Sequence, residues 1–138
     1  MKKREPVKNV MTANLHVASE QDSLRDVMTT FKKEKIRHMP VVKGGKVIGI
    51  ISATDLNRLT FGGLFENQGD ADEAVLDMLS VPQVMTSNPN TVSVENSIKE
   101  VAEIFAKEDF HALPVTEGDE LKGIVTTTDI IKYMLKQY

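Results

Sequence analysis

The sequence predicts a mixed α/β (α+β) fold, in which two β-α-β-β-α units pack about a pseudo-twofold axis. Three observations support this prediction. The 138-residue chain repeats itself, each copy carries an amphipathic helix, and each copy continues into a β-rich hairpin and a second helix. Because one unit of this size cannot cover its own apolar faces, we expect the two copies to fold as a pair.

The repeat has a period of 74 residues. VMTAN at 10–14 matches VMTSN at 84–88, and Met85 follows Met11 by 74 positions. The same shift, without a gap, aligns further pairs: Ser19 with Ser93, Ser23 with Ser97, Phe31 with Phe105, Pro40 with Pro114, Gly49 with Gly123, and Asp55 with Asp129. We therefore predict an N-terminal extension (1–9), a first repeat (10–60), a connector (61–81) and a second repeat (82–138).

The first helix of each copy is predicted from SLRDVMTTFKKE and SIKEVAEIFAKE. Both stretches place apolar residues at helical spacing: Leu24, Val27, Met28 and Phe31, and then Ile98, Val101, Ala102 and Phe105. Ser19 and Ser93 lie shortly upstream, and we expect their side chains to cap these helices.

Two strands and a second helix complete each copy. HMPVV and ALPVT begin a hairpin whose glycine-bearing turn leads into VIGIIS and LKGIVT, and a helix follows Asp55 and Asp129. In the connector, AVLDML predicts a short helix. Phe61, Leu64 and Phe65 beside Gly62 and Gly63 could line a cleft or an interface, but we favour core packing for them.

Composition and charge restrict the function. The chain is 41% hydrophobic and 27% charged, as in soluble globular proteins, and it contains no apolar run of the roughly 20 residues that span a bilayer. It begins without the apolar segment of a signal peptide, so we expect a cytoplasmic protein without a membrane partner. A net charge of −3 argues against a nucleic-acid partner.

Candidate catalytic and metal-binding groups are missing from the sequence. It has no cysteine, no HExxH run, no serine-nucleophile elbow and no Walker loop. Its three histidines, at 16, 38 and 111, lack metal-ligand spacing. We therefore expect neither an enzyme nor a resident metal.

The motifs VMT…N, RHMPVV…GIISATDL and then VMTSNP…HALPVT…GIVTTTDI resemble a tandem pair of CBS (cystathionine β-synthase) domains, also called a Bateman module. The resemblance extends from about Val10 to Lys136, and each segment occurs twice in the right order. It implies two clefts between the units that bind an adenosine-containing ligand such as AMP, ADP, ATP or S-adenosylmethionine. It also implies a regulatory role and frequent dimerisation.

The strand-to-helix junctions GIISATDL and GIVTTTDI hold the main candidate ligands. Free amides at a helix start favour an anion, and a carboxylate suits the paired hydroxyls of a ribose. We assign ribose to Asp55 and Asp129, and phosphate or hydroxyl contacts to Ser52, Thr54, Thr126 and Thr128. The alternative is that Thr54 and Thr128 cap the helices, but such capping would not require Ser52 and Thr126.

Basic side chains near these junctions are candidate phosphate ligands: Arg37, His38, Arg58, His111 and Lys132. Solvated surface is the alternative for Arg37, Arg58 and Lys132, and a neutral histidine at the core edge is the alternative for His111. For adenine we assign an apolar slot, although core packing explains the same residues: Ile36, Met39, Pro40, Phe110, Leu113 and Pro114.

The two sites are not expected to be equal. The second copy adds acidic residues near its basic ones: Glu108, Asp109, Glu117, Asp119 and Glu120. The local potential therefore favours an anion in the first copy, and we expect the Asp55 site to bind a nucleotide more tightly than the Asp129 site.

These observations together predict a stand-alone regulatory module, an energy or metabolite sensor for an unidentified partner protein. Mg²⁺ could accompany a polyphosphate ligand. The alternative is a ligand-free scaffold for protein interaction or dimerisation. A homodimer is expected because the last helix carries apolar residues that one chain would not cover: Ile130, Ile131, Met134 and Leu135.

Overall fold

The chain alternates short strands and helices in the order that the duplication predicts. A computed structural model describes residues 4–59 and 69–138, with side chains for 4–59 and 74–138. The mixed α+β prediction is confirmed. After a 3-10 turn at Val7–Asn9, the elements are α1 (Leu24–Glu34), β1 (His38–Lys43), β2 (Lys46–Ser52), α2 (Ala53–Leu59), α3 (Gly69–Met78), α4 (Val81–Val84), β3 (Thr86–Ser87), β4 (Val92–Ser93), α5 (Ile98–Lys107), β5 (Ala112–Glu117), β6 (Glu120–Thr126) and α6 (Thr127–Lys136).

These elements form two units that do not follow the order of the chain. The first-repeat unit is His16–Asn88, and the second-repeat unit joins Met1–Leu15 to Pro89–Tyr138. The stretch that precedes each repeat in the sequence thus belongs to the unit of the other repeat. The sequence predicted the segments 1–9, 10–60, 61–81 and 82–138, which follow the order of the chain. The two units differ from these segments because they are defined by contacts between distant parts of the chain.

The exchanged stretches are the segments that contain Val7 and Thr12 in the second-repeat unit, and Val81 and Thr86 in the first-repeat unit. Hydrogen bonds attach each of them to the hairpin of its unit. In the second-repeat unit, Thr12 N–H donates to the Ile124 carbonyl at 2.8 Å, and Ile124 N–H donates to the Thr12 carbonyl at 3.0 Å. In the first-repeat unit, β3 pairs antiparallel with β2 and aligns Thr86 with Ile50. The two arrangements match residue for residue under the 74-position shift, so the duplication extends to this pairing.

The central hairpins are also equivalent. β1 pairs antiparallel with β2, with a bulge between Val41 and Val42, and β5 pairs with β6, with a bulge between Val115 and Thr116. A further segment lies parallel to the first strand of each hairpin: β4 against β5, and an isolated bridge from Ala18 to Val41. Each hairpin therefore delivers the end of its second strand to the start of a helix.

The N-caps of α1 and α5 are Ser23 and Ser97. The Ser23 hydroxyl accepts from Asp26 N–H, and the Ser97 hydroxyl accepts from Glu100 N–H, both at 3.0 Å. The Glu100 carboxylate accepts from Ser97 N–H at 2.8 Å, which completes a capping box. The backbone hydrogen bond from Ser97, with side-chain hydrogen bonds from Ser97 and Asn96 to the same carboxylate, lowers the pKa of Glu100 below its ordinary value.

The expectation that Ser19 and Ser93 cap these helices is wrong. Ser19 N–H donates to Asp22 Oδ2 at 2.9 Å, and Ser93 N–H donates to Asn96 Oδ1 at 2.7 Å. Each serine therefore belongs to a small turn that is closed by its own hydrogen bond before the helix starts. The helices begin one turn later because a second serine is available there.

The core of each unit includes a valine from its exchanged stretch. Val81 is fully buried in the first-repeat unit with Leu24, and Val7 is fully buried in the second-repeat unit with Val101. The helix positions that periodicity predicts face these cores: Leu24, Val27, Phe31, Ile98 and Val101 are buried, and Met28, Ala102 and Phe105 are half-buried. Neither core is therefore complete without the valine that its exchanged stretch supplies.

The described part of the connector confirms a short helix, because α3 covers most of the AVLDML stretch. Arg25 of α1 donates to Asp77 of α3 across 2.8 Å at an exposed ion pair, and Leu76 is buried in the first-repeat core. The predictions for Phe61, Leu64 and Phe65 beside Gly62 and Gly63 lie outside the described residues.

Gly49 and Gly123 allow the exchanged stretches to approach the hairpins closely. A Cβ atom at Gly123 would lie 2.6 Å from Met11 Sδ and 2.9 Å from the Thr12 carbonyl oxygen. A Cβ atom at Gly49 would meet the Met85 side chain within 3 Å, whereas the nearest backbone atom is 3.1 Å away. Both positions thus require glycine for space, and only the second copy meets backbone below 3 Å.

Gly123→Ala is expected to cost about 1–3 kcal/mol of unfolding free energy, because backbone and not only a flexible side chain must move. Gly49→Ala should cost less, since Met85 can change its rotamer. Urea unfolding measures both values. A double-mutant cycle that combines Gly49→Ala with Met85→Ala serves as the control. The combined variant should lose less unfolding free energy than the two single variants lose together. A Gly123→Ala variant as stable as the original chain would contradict the close approach.

Candidate functional site

The candidate site of each unit lies where the second hairpin strand becomes a helix. The register of the hairpins pairs His38 with Ser52, and Ala112 with Thr126. The Arg37 carbonyl accepts from Ala53 N–H at 2.8 Å, and the equivalent His111 carbonyl accepts from Thr127 N–H at 3.0 Å. The residue before the first strand is therefore held beside the first residue of the helix in both copies.

Asp129 and Thr126 form a reciprocal pair of hydrogen bonds at the start of α6. The Thr126 hydroxyl accepts from Asp129 N–H at 3.1 Å, and Asp129 Oδ2 accepts from Thr126 N–H at 3.0 Å. At the start of α2 the corresponding distances between Ser52 and Asp55 are 3.1 Å and 3.4 Å. Each aspartate thus completes a capping box with the last residue of a strand.

The sequence-based alternative placed the caps at Thr54 and Thr128, and this is wrong. The helices begin directly after the strands, so Ser52 and Thr126 are the capping residues. Contrary to the prediction, capping does use Ser52 and Thr126. The spacing Ser/Thr-x-x-Asp could have revealed this role, because it places the carboxylate at the third position of the helix.

The capping hydrogen bond uses only one oxygen, Oδ2, of each aspartate carboxylate. Asp55 and Asp129 are half-buried, and their Oδ1 atoms accept no hydrogen bond from any residue that the structure describes. The side chains of Thr54 and Thr128, one position earlier, are exposed. Each junction therefore leaves one carboxylate oxygen without a partner among the described residues, next in sequence to an exposed threonine.

The predicted cations lie close to these junctions in the chain. Arg58 and Lys132 are exposed and follow their aspartates by three residues, which places them near the same helix face. Arg37 and His111 are exposed and are tied by their carbonyls to the helix starts, whereas His38 is half-buried. The edge-of-core alternative for His111 is not supported, because its side chain is exposed.

The predicted adenine slot separates into two groups. Met39 and Leu113 are 2% and 1% exposed, and their neighbours Pro40 and Pro114 are also fully buried, so core packing accounts for these four residues. Ile36 and Phe110 are half-buried. They are thus the members of the slot that a ligand can reach without displacing core residues.

The two copies differ in charge at equivalent positions. Asp109, Glu117 and Glu120 are exposed in the second-repeat unit, and the 74-position shift aligns them with lysines in the first copy: Lys35, Lys43 and Lys46. At these three positions the first copy is therefore the more positive.

Metal-binding clusters and membrane-spanning helices are both absent from the described ranges, 4–59 and 69–138. No group of three His, Cys, Asp or Glu side chains there is arranged to hold a metal ion. None of the helices in the same ranges is long and apolar enough to cross a membrane.

A duplicated α+β unit with a capping aspartate at each strand-to-helix junction defines a tandem-repeat module. The family model described as the CBS domain matches this chain twice, at residues 7–61 and 81–136. The chain belongs to the CBS domain family, and it contains two copies of the domain.

The protein MJ1225 of Methanocaldococcus jannaschii is similar along almost the whole chain. It is 29% identical over 131 residues, which are 94% of this chain and 47% of MJ1225. Its crystal structure has a TM-score of 0.80 at 28% identity and covers 97% of this chain and 49% of that one. A second protein of the same organism, MJ1404, is 28% identical, and the match spans 31% of its length. The chain thus spans less than half of these relatives.

Two CBS-pair structures similar to this chain contain adenosine compounds. CBSX2 in complex with AMP has a TM-score of 0.80 at 24% identity and covers 96% of this chain and 98% of that one. The CBS pair of MJ0100, in complex with 5′-methylthioadenosine and S-adenosylmethionine, has a TM-score of 0.78 at 24% identity, with coverage of 96% and 98%. At this identity, the likeness establishes a shared fold.

Thr126→Ala should lower the unfolding free energy by about 0.5–2 kcal/mol, because it leaves a helix amide without its cap. Ser52→Ala should act in the same direction. Thr54→Ala and Thr128→Ala are the matched controls, and their effects should stay within about 0.5 kcal/mol. Urea unfolding of the four variants tests the assignment, and a control variant as damaging as its capping neighbour would refute it.

Proposed function

We propose that this chain is a regulatory module that binds an adenosine-containing ligand, AMP, ADP, ATP or S-adenosylmethionine, and acts as an energy or metabolite sensor for a partner protein. One observation carries the proposal. In each unit a half-buried aspartate is fixed by one carboxylate oxygen, while its other oxygen accepts nothing from the described residues.

A carboxylate held in this way suits a ribose. The bond from the Ser52 or Thr126 amide fixes the orientation of the carboxylate before a ligand arrives, so less freedom is lost on binding. The remaining oxygen is a charged acceptor, and hydrogen bonds to a charged acceptor are stronger than neutral ones. Capping and ribose binding by the same aspartate are therefore compatible.

Phosphate groups of the ligand are assigned to the basic residues and hydroxyls near each junction. In the first-repeat unit these are Ser52, Thr54, Arg37, His38 and Arg58, and in the second-repeat unit they are Thr126, Thr128, His111 and Lys132. The arginine side chains offer a planar fork that matches phosphate oxygens. The adenine would contact Ile36 or Phe110, the accessible members of the predicted slot.

We further propose that the Asp55 site binds more tightly than the Asp129 site. Lysines of the first copy, Lys35, Lys43 and Lys46, stand where the second copy has acids. This difference favours an anionic ligand at the first-repeat junction.

Family membership supports a regulatory role. CBSX2 and MJ0100 share this fold and contain adenosine compounds, which supports the choice of ligand class at the level of fold. We assign no catalysis to this chain itself and propose a cytoplasmic location, with a regulated protein as partner. Mg²⁺ would enter with a polyphosphate ligand, bound through its phosphate oxygens.

Asp55→Asn is the sharpest test, because asparagine keeps an oxygen for the Ser52 amide and removes the charge. Calorimetric titration with AMP, ADP, ATP and S-adenosylmethionine should show roughly 10- to 100-fold weaker binding of the preferred ligand, equivalent to one charge-assisted hydrogen bond of about 1.5–3 kcal/mol. The matched variant Asp129→Asn should lose less. A larger loss in Asp129→Asn would reverse the ranking.

Thermal unfolding gives an independent readout. A ligand at a hundredfold excess over its dissociation constant should stabilise the chain by roughly 2.7 kcal/mol. No stabilisation by any of these adenosine compounds would contradict the sensor and leave an interaction scaffold.

We also propose that the protein forms a homodimer through the outer face of α6. Ile131 and Leu135 are 56% and 67% exposed one helical turn apart, and Met134 and Tyr138 extend the same apolar surface. Ile130, which the sequence suggested for this surface, is 6% exposed because it packs in the second-repeat core. An interface would therefore use the other four residues.

Ile131→Lys combined with Leu135→Lys should shift the chain toward monomer in sedimentation experiments, because two charges would have to be buried. Gln137→Lys is the matched control at the same helix end, and it should leave the association unchanged. A monomeric original chain at working concentrations would exclude the dimer.

A further inference from the structure

A cavity of about 380 Å³ lies in the first-repeat unit between the end of α1, the loop that follows it, and α2. Its lining consists of Met28, Phe31, Lys32, Lys35, Ile36, Arg37, Ala53, Leu56 and Asn57. The residues assigned to ribose and hydroxyl contacts at the junction, Ser52, Thr54 and Asp55, are not among them. The cavity therefore lies beside the carboxylate site and shares with it only Ile36 and Arg37, which were assigned to the adenine and to a phosphate.

The lining combines an apolar floor with a basic rim. Phe31 and Leu56 are buried, and Met28 and Ile36 are half-buried, so the floor presents hydrocarbon and an aromatic ring. The rim carries three exposed cations, Lys32, Lys35 and Arg37, and no acidic side chain lines the cavity. Such a lining favours a molecule with an apolar body and an anionic head.

The three cations are available to a ligand. None of Lys32, Lys35 and Arg37 forms an ion pair with any residue between 4 and 59 or between 74 and 138. By contrast, Lys43 pairs with Glu20 at 3.3 Å in the same unit. An anion bound at the rim would thus not have to displace an existing acidic partner.

The second copy provides an internal comparison. The residues that replace Lys32, Lys35, Ile36, Arg37 and Asn57 there are Ala106, Asp109, Phe110, His111 and Ile131. Phe110 packs edge-on against Phe105, with 6.4 Å between ring centroids. The same scaffold therefore folds without the basic rim, so the fold does not require these cations.

We propose that this cavity is a second ligand site, which binds an amphiphilic organic anion: a phosphate, carboxylate or sulfonate head on an apolar body. The head lies at Lys32, Lys35 and Arg37, and the body lies over Met28, Phe31 and Leu56. The site shares Arg37 and Ile36 with the adenosine site proposed above, whereas Lys32 and Lys35 belong to this cavity alone. Substitutions at Lys32 and Lys35 therefore let the two proposals fail separately.

The test is a fluorescence titration of the full chain with 8-anilinonaphthalene-1-sulfonate, an aromatic anion that emits strongly in apolar surroundings. We expect saturable binding of one equivalent. Unlabelled octanoate and 1-naphthyl phosphate should displace the probe, and their relative strength distinguishes a carboxylate head from a phosphate head. Inorganic phosphate alone should displace it poorly, because it has no apolar body.

The decisive variant combines Lys32→Ala with Lys35→Asp and so introduces the residues of the second copy. Lys35 has a left-handed backbone with φ of 55°, a conformation that aspartate tolerates well. Loss of two cations should weaken probe binding by at least roughly tenfold. Lys33→Ala, on the same helix but outside the lining, is the matched control and should bind as the original chain does.

Circular dichroism and urea unfolding establish that the double variant is folded. Asn57→Ile is a second substitution, which removes a polar side chain from the lining of the cavity. Adenosine-ligand binding, measured on the same samples, should remain because Asp55 is intact. Unchanged probe binding in the double variant, as expected for dye on the exposed face of α6, would overturn the proposal. Non-saturable binding to the original chain would also overturn it.

Discussion

The reciprocal hydrogen bonds between the last residue of a strand and an aspartate three positions later are the constraint on which the rest of the site depends. They end β2 and β6, start α2 and α6, and fix one oxygen of Asp55 and of Asp129. Because the strand-end amide is satisfied by the side chain of the same aspartate, local folding fixes the orientation of the carboxylate. The capping role of each aspartate is therefore compatible with the ligand-binding role that we propose for it.

A second constraint comes from the exchange of the VMT stretches between the two units. Val7 and Val81 are fully buried in the cores of units whose hairpins lie far away in the sequence. Met11 and Met85 lie against Gly123 and Gly49, where a larger residue would collide with them. The predicted repeats 10–60 and 82–138, taken alone, would lack these parts.

Duplication has preserved the scaffold, while the charges on it have diverged. The two copies keep the same register, the same bulge positions and the same capping geometry. Lysines of the first copy nevertheless stand where the second has acids, and Phe110 stands where the first copy has Ile36. The scaffold depends on buried residues and backbone bonds, which tolerate few changes, whereas exposed charges change at little cost in stability. The differences between the copies therefore lie mainly in their exposed charges.

The sequence by itself determined the fold class, the register of the repeat, the two helices of each copy and the positions of both junctions, because periodicity and duplication are visible along the chain. It also placed Asp55 and Asp129 at these junctions. Only the tertiary structure decided that Ser52 and Ser97 are caps, that Met39 and Pro40 are closed inside a core, and that Lys32 joins Arg37 at one cavity. The pairing of Thr12 with Ile124 had no local signature, because contacts between distant segments depend on how surfaces pack and leave no spacing in the sequence to read.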